Sequence, residues 1–137
     1  MRVGFNAFFL SQAGTGSGQY TYQLLRALAQ VDSDYEYLLY DTKKASFSNS
    51  VQVLRTPFTQ RLENVDKLWF EQIAFPLACR RARVDLCHVP YFASPLCPTV
   101  PTVVTVHDLI PLLLPVYRGN ILVRLYMRLV AAAARRA

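Results

Sequence analysis

Three glycines alternate with small residues at Gly14, Gly16 and Gly18, directly before the apolar-polar pattern YTYQLLRALAQ. Glycine lets a ligand approach the backbone closely, and a helix starting there offers unpaired N–H groups to an anion such as a phosphate. The second reactive group is the pair His107 and Asp108 in TVVTVHDL. A neutral imidazole can hydrogen-bond a substrate hydroxyl or shuttle a proton near neutral pH. Both stretches also have a plain structural reading. The glycines then make only a flexible turn, and His107 satisfies its own loop. The other histidine, His88 in DLCHVPYF, reads as a core or loop residue.

Several chemistries are disfavoured by spacing. A dinucleotide fingerprint needs GxGxxG, but Gln19 and Thr21 stand where the third glycine of each frame would fall. There is no GK[ST] of a P-loop and no GxSxG nucleophile elbow. Cys79, Cys87 and Cys97 are odd in number and contain no CxxC pair, so neither a disulfide framework nor a zinc site is signalled. His88, His107, Cys87 and Cys97 have no metal-like spacing, and no metal or other cofactor is expected.

The elements that must carry these groups alternate along the chain. Arg2 to Phe9 reads as a buried strand, followed by an amphipathic helix to about Gln30 with Tyr20, Leu24, Leu25, Leu28 and Val31 on its apolar stripe. YEYLLYD and VQVLRT read as a second and a third strand. A helical stretch from Arg61 to Arg83 should kink at Pro76, where a backbone donor is missing. Trp69, Phe70, Phe75 and Leu77 on it read as core, and Glu71 and Gln72 as solvated. VDLCHVP and PTVVTVHDL are a fourth and a fifth strand, and Arg118 to Ala137 is a last helix. This pattern predicts a doubly wound, Rossmann-like α/β domain with a parallel sheet in the order 3-2-1-4-5. Gly16 and His107 must then share the edge formed by the carboxyl ends of the strands.

Bulk properties bound the partners. A chain of 137 residues with 53% hydrophobic residues can form one domain with a real core. The net charge of +6 favours phosphates, anionic lipids or acidic sugars. The last helix holds five arginines and no acid, a pattern suited to an anionic membrane surface. Arg124 and Arg128 make its apolar run too charged to span a membrane. Asn6 interrupts the first apolar run, which argues against a secretory leader. A cytoplasmic location, with peripheral contact to the inner face of the membrane, is the expectation. No nucleic-acid-binding module is recognisable.

Three stretches in order, GSGQYTYQLLRAL, LWFEQIAFPLACRRARVDLCHVPYFASP and PTVVTVHDLIPLLLPVY, together resemble the N-terminal domain of family 4 glycosyltransferases, retaining enzymes of the GT-B fold. The resemblance covers nearly the whole chain. It implies transfer of a hexose from a sugar nucleotide to a polysaccharide or lipid-linked acceptor. It places Gly16, Gly18 and Tyr20 as substrate-binding residues near donor phosphate and acceptor, His107 as the catalytic residue beside the donor sugar, and Asp108 at the turn after it. Many relatives carry arginine where this chain has Gln19. The resemblance further implies that residues 1–137 are a partial acceptor-side domain, inactive alone, whose donor-binding partner domain lies outside it. Two other readings stay open. One is a binding-only module with a basic face; the other is a nicotinamide-dependent oxidoreductase in which Asp41 would hold ribose.

Overall fold

The computed structural model describes residues 1–31, 34–43, 51–55, 63–117, 119–135 and 137. Strand β1 is Arg2–Asn6, followed by α1 (Gly16–Leu28), β2 (Glu36–Asp41) and β3 (Val51–Val53). A long helical segment then runs as α2 (Glu63–Trp69), a π-helical turn (Phe70–Ala74) and α3 (Phe75–Arg81). Strands β4 (Leu86–Val89) and β5 (Thr102–Val104) precede α4 (Ile110–Leu113), a 3-10 turn (Pro115–Tyr117) and α5 (Ile121–Ala134). The five strands form one sheet in the order β3-β2-β1-β4-β5, with every pairing parallel. This is the doubly wound order expected from the alternation of elements.

Several boundaries differ from the sequence expectation. β1 ends at Asn6 rather than Phe9, because the Asn6 Oδ1 accepts the Phe8 N–H at 3.1 Å and turns the chain. α1 starts at Gly16, so only Gly14 precedes it and the other two glycines occupy its first turn. Thr15 caps that turn, its hydroxyl oxygen accepting the Gly18 N–H at 3.0 Å. The fully buried residues of α1 are Gly18, Thr21 and Leu25, and Leu24 and Leu28 of the expected stripe pack beside Leu25, whereas Tyr20 and Val31 at its two ends are exposed.

Pro76 has its expected effect in a specific form. The helical ladder ahead of it slips by one residue, with the Phe75 N–H bonding the Phe70 carbonyl in the i→i+5 manner. The start of this segment at Arg61 and the third-strand end at Thr56 lie outside the described residues. β5 ends at Val104, so His107 and Asp108 sit in the loop beyond it rather than in the strand. α5 is shorter than Arg118 to Ala137, and begins where the Asn120 Oδ1 accepts the Val123 N–H at 3.0 Å. Arg118 and Arg136 lie outside the described residues.

Period-2 alternation divides the core between the two faces of the sheet. Phe5, Leu39 and Leu25 pack on the α1 face, with Ala7 and Leu10 of the following loop. Tyr40, Cys87 and Val89 point to the other face, against Phe70, Phe75, Cys79 and Val130. His88, registered beside Phe5, falls on the α1 face; the two rings meet edge-on at 5.0 Å. Phe70 and Phe75 are core as expected, but Leu77 is exposed. Glu71 corrects the sequence expectation outright, being fully buried rather than solvated.

Candidate functional site

An all-parallel sheet sets the carboxyl ends of its strands along one edge. Here the strand order reverses between β1 and β4, the point at which open α/β sheets form a ligand crevice. His107 reaches back toward the end of β4. Its Nε2 lies 3.0 Å from the carbonyl oxygen of Pro90, just after β4. A carbonyl can only accept, so Nε2 carries the proton and Nδ1 of the neutral ring keeps its lone pair. The imidazole is exposed, and Tyr20 of α1 packs edge-on against it with ring centroids 4.7 Å apart. The fold thus joins two residues separated by most of the chain, an acceptor nitrogen and a phenol, at the open start of a helix.

The remaining expected residues have different local roles. Gly16 opens α1 with nothing within 4 Å of where a Cβ would stand, so its backbone is approachable. Gly18 is the opposite: it is buried, and a Cβ there would run into the carbonyl of Gln12. Its absence of a side chain serves the packing of the helix start on its own loop. Asp108 holds the turn after His107, its Oδ1 accepting the Ile110 N–H at 2.9 Å where α4 begins. The Gln19 side chain is spent locally, its amide donating to the Ala13 carbonyl.

Two further residues complete the cluster. The Thr105 hydroxyl lies 3.5 Å from the Tyr20 hydroxyl and 3.3 Å from the Nε2 of His88. His88 is half-buried in β4, and that burial lowers its pKa from the ordinary histidine value, favouring the neutral ring. Nothing in the sequence marks Thr105. His88 was visible only as a strand histidine, and the signal that could have found the pair is their shared alternation with Phe5 toward α1.

On the other face of the sheet lies a buried polar cluster that sequence reasoning missed. The Glu71 Oε2 accepts the Tyr126 hydroxyl at 2.8 Å, and its Oε1 faces the Lys67 ammonium at 3.6 Å. That ammonium sits 5.3–6.0 Å from the ring centres of Phe8, Phe9, Tyr91 and Tyr126. Burial pushes the Glu71 carboxyl up, opposed by the Lys67 charge and the Tyr126 hydroxyl. The i,i+4 spacing of Lys67 and Glu71 was the available clue. Tyr91 also donates to the Asn6 Oδ1 at 3.2 Å, tying the cluster to the end of β1.

Among the described residues no three His, Cys, Asp or Glu side chains come together at metal-binding range. Cys79, Cys87 and Cys97 are free thiols, the first two buried. Among the described residues no helix is long and apolar enough to cross a membrane. With this arrangement in view, the comparison with known families becomes decisive: the model of "Glycosyltransferase Family 4" matches residues 14–137. The chain belongs to glycosyltransferase family 4. No curated protein and no solved structure gives a match.

For a glycosyltransferase domain, sugar nucleotide and acceptor are the ligands in general. Family membership sets aside the nicotinamide reading, and the local geometry of Asp41 agrees. Its Oδ1 already accepts the N–H groups of Thr42 at 2.6 Å and Lys43 at 3.2 Å, within its own turn. The whole residue is buried, and burial raises its pKa to about 6.

Proposed function

We propose that residues 1–137 form the acceptor-side part of a glycosyltransferase that moves a hexose from a sugar nucleotide to a polysaccharide or lipid-linked acceptor. The donor nucleotide would be held by a second α/β domain outside these residues. The observation that carries this reading is the His107–Tyr20 pair at the carboxyl edge of the sheet, with the Nε2 of His107 on the Pro90 carbonyl and no hydrogen-bond partner for its Nδ1 among the described residues. In the proposed mechanism, Nδ1 accepts a hydrogen bond from a donor-sugar hydroxyl, and the Pro90 carbonyl holds the ring in the tautomer that permits it. The backbone N–H groups of Gly16 and Ser17 face the leaving diphosphate or an anionic acceptor group. Rate enhancement then comes from positioning and from stabilising an oxocarbenium-like sugar in a closed cleft, with no metal or cofactor assigned.

The test joins this segment to the remainder of a related family 4 enzyme and substitutes His107→Ala. Turnover should fall by roughly 10²-fold or more, the scale of one positioned catalytic group, with the melting temperature nearly unchanged. A destabilised variant with normal turnover per folded molecule refutes the assignment. The isolated chain should give no product with a panel of sugar nucleotides and acceptors.

A second reading concerns where the domain works, and one surface favours it. Ile121 and Leu122 are each 71% exposed and Leu125 is 57% exposed, beside the exposed Arg124 and Arg128. This face of α5 has the composition that settles at an anionic lipid surface, apolar side chains inserted and guanidinium groups at the phosphates. A lipid-linked acceptor would be met there.

A further inference from the structure

We propose that His88 and Thr105 are positioning residues that hold Tyr20 against His107 through one directed line of hydrogen bonds. The inference rests on the reading of His107 and Tyr20 as the sugar-facing pair. Its warrant is geometric. Thr105 stands between two groups on different elements, 3.5 Å from the Tyr20 hydroxyl on α1 and 3.3 Å from His88 Nε2 on β4. A threonine hydroxyl has one proton and two lone pairs, so the state of one neighbour decides what it offers the other.

With His88 neutral and protonated on Nδ1, Nε2 accepts. Thr105 then donates its proton to His88 and accepts from the Tyr20 hydroxyl. The phenol is thereby tethered inward, and its ring presents an edge-on contact to His107 at 4.7 Å. The Phe5 ring against His88, at 5.0 Å, limits the tilt of that imidazole and so fixes the direction of Nε2. Were Nε2 protonated instead, Thr105 would turn its own proton toward Tyr20, and the phenol proton would be released into the cleft. His88 and Thr105 touch no reacting atom in this scheme. They set the orientation of Tyr20, which packs against His107. The two distances are long for O–H hydrogen bonds, as is common at sites that tighten when substrate binds.

The chain contains two histidines, which makes the test direct. Nitrogen NMR of the 137-residue chain, labelled at histidine, should show opposite tautomers at neutral pH: Nδ1–H for His88 and Nε2–H for His107. An Nε2–H tautomer at His88 overturns the proposal without any variant. Tyr20→Ala should abolish the ring-current displacement of the His107 carbon-bound protons. Thr105→Val and His88→Leu should each reproduce much of that loss while the dispersed core methyl signals persist. His88→Gln, whose amide oxygen can stand where Nε2 stood, should restore it. His107 signals unmoved in Thr105→Val and His88→Leu, but moved in Tyr20→Ala, overturn the line. These signals do not depend on sugar transfer. Intact turnover in His107→Ala instead overturns the functional reading beneath it, so the two failures are distinguishable.

Discussion

Gly16 and Gly18 are two residues apart in the same helical turn, yet substituting each by alanine should have opposite effects. A Cβ at Gly18 would penetrate the Gln12 carbonyl oxygen and stand 2.9 Å from the Phe9 carbonyl oxygen. The loop has no cheap way to yield. The Gln12 carbonyl also accepts the Thr15 N–H at 3.0 Å and the Thr15 hydroxyl at 2.9 Å, so moving it disturbs the helix cap. Overpacking costs about 1–3 kcal/mol and loss of a cap about 1, giving roughly 2–4 kcal/mol for Gly18→Ala. A Cβ at Gly16 meets nothing within 4 Å. Gly16→Ala should therefore gain about 0.5–1 kcal/mol from reduced unfolded-state freedom. Urea unfolding followed by far-UV circular dichroism measures both. In the joined enzyme, Gly16→Ala should raise the KM for sugar nucleotide with no fall in melting temperature, since its methyl enters the space an anion would occupy. Equal stability of the two variants, or a destabilised Gly16→Ala, refutes the division between packing and ligand approach.

The buried carboxyls give two predictions with defined pH behaviour. Asp41, raised from 3.8 to about 6 by burial, favours the protonated form when folded. Its cost to stability grows as pH rises through that window, to a ceiling of ~3 kcal/mol. Asp41→Asn should thus raise the melting temperature at pH 7.5 and lose that advantage by pH 4; a gain independent of pH contradicts the assignment. Lys67→Met removes the ammonium 3.6 Å from the buried Glu71 and should cost on the order of 3 kcal/mol at pH 8. The loss should shrink on acidification as Glu71 takes up a proton, and Glu71→Gln should largely rescue it; an undiminished loss at pH 5 argues that Lys67 matters only by packing. For α5, co-sedimentation should require anionic vesicles, fade with salt, and weaken by about tenfold or more in Arg124→Gln/Arg128→Gln, at roughly 1 kcal/mol per basic residue. Equal binding to neutral vesicles refutes the electrostatic reading.

The sheet was legible because its signal is redundant. Apolar strands separated by helical stretches leave few ways to cover both faces, and the observed order β3-β2-β1-β4-β5 is among the commonest solutions. Strand ends were less legible, because side chains the pattern ignores decide them. β1 stops where the Asn6 carboxamide captures the Phe8 N–H, and β5 stops three residues short of His107. Glu71 was misjudged because a charged side chain reads as solvated, whereas the Tyr126 hydroxyl and the Lys67 ammonium meet this one inside the core. Phe70 and Glu71, adjacent in sequence, both become fully buried.

The site shows the same contrast at a smaller scale. Residue type and strand order were enough to bring the start of α1 and His107 to one edge, because a parallel sheet leaves that edge as the place where its loops gather. They were not enough to say what each residue does there. Gly16 and Gly18 look interchangeable in GTGSGQY, but the loop from Phe9 to Gln12 folds back beneath only one of them. His88 and His107 look alike as histidines near strand ends. One faces α1 from within β4, where burial keeps it neutral; the other stands in the open with its Nε2–H committed to a backbone carbonyl. Those distinctions arise in part from contacts between residues far apart in the chain, Tyr20 with Thr105 and His107 foremost. Periodicity within a window of a dozen residues carries no record of such contacts. What it does record is which side of the strand a residue occupies, and that is the part of His88 that could have been read: two strands in parallel register, Phe5 beside His88, put the imidazole on the α1 face and hence within reach of the helix that carries Tyr20.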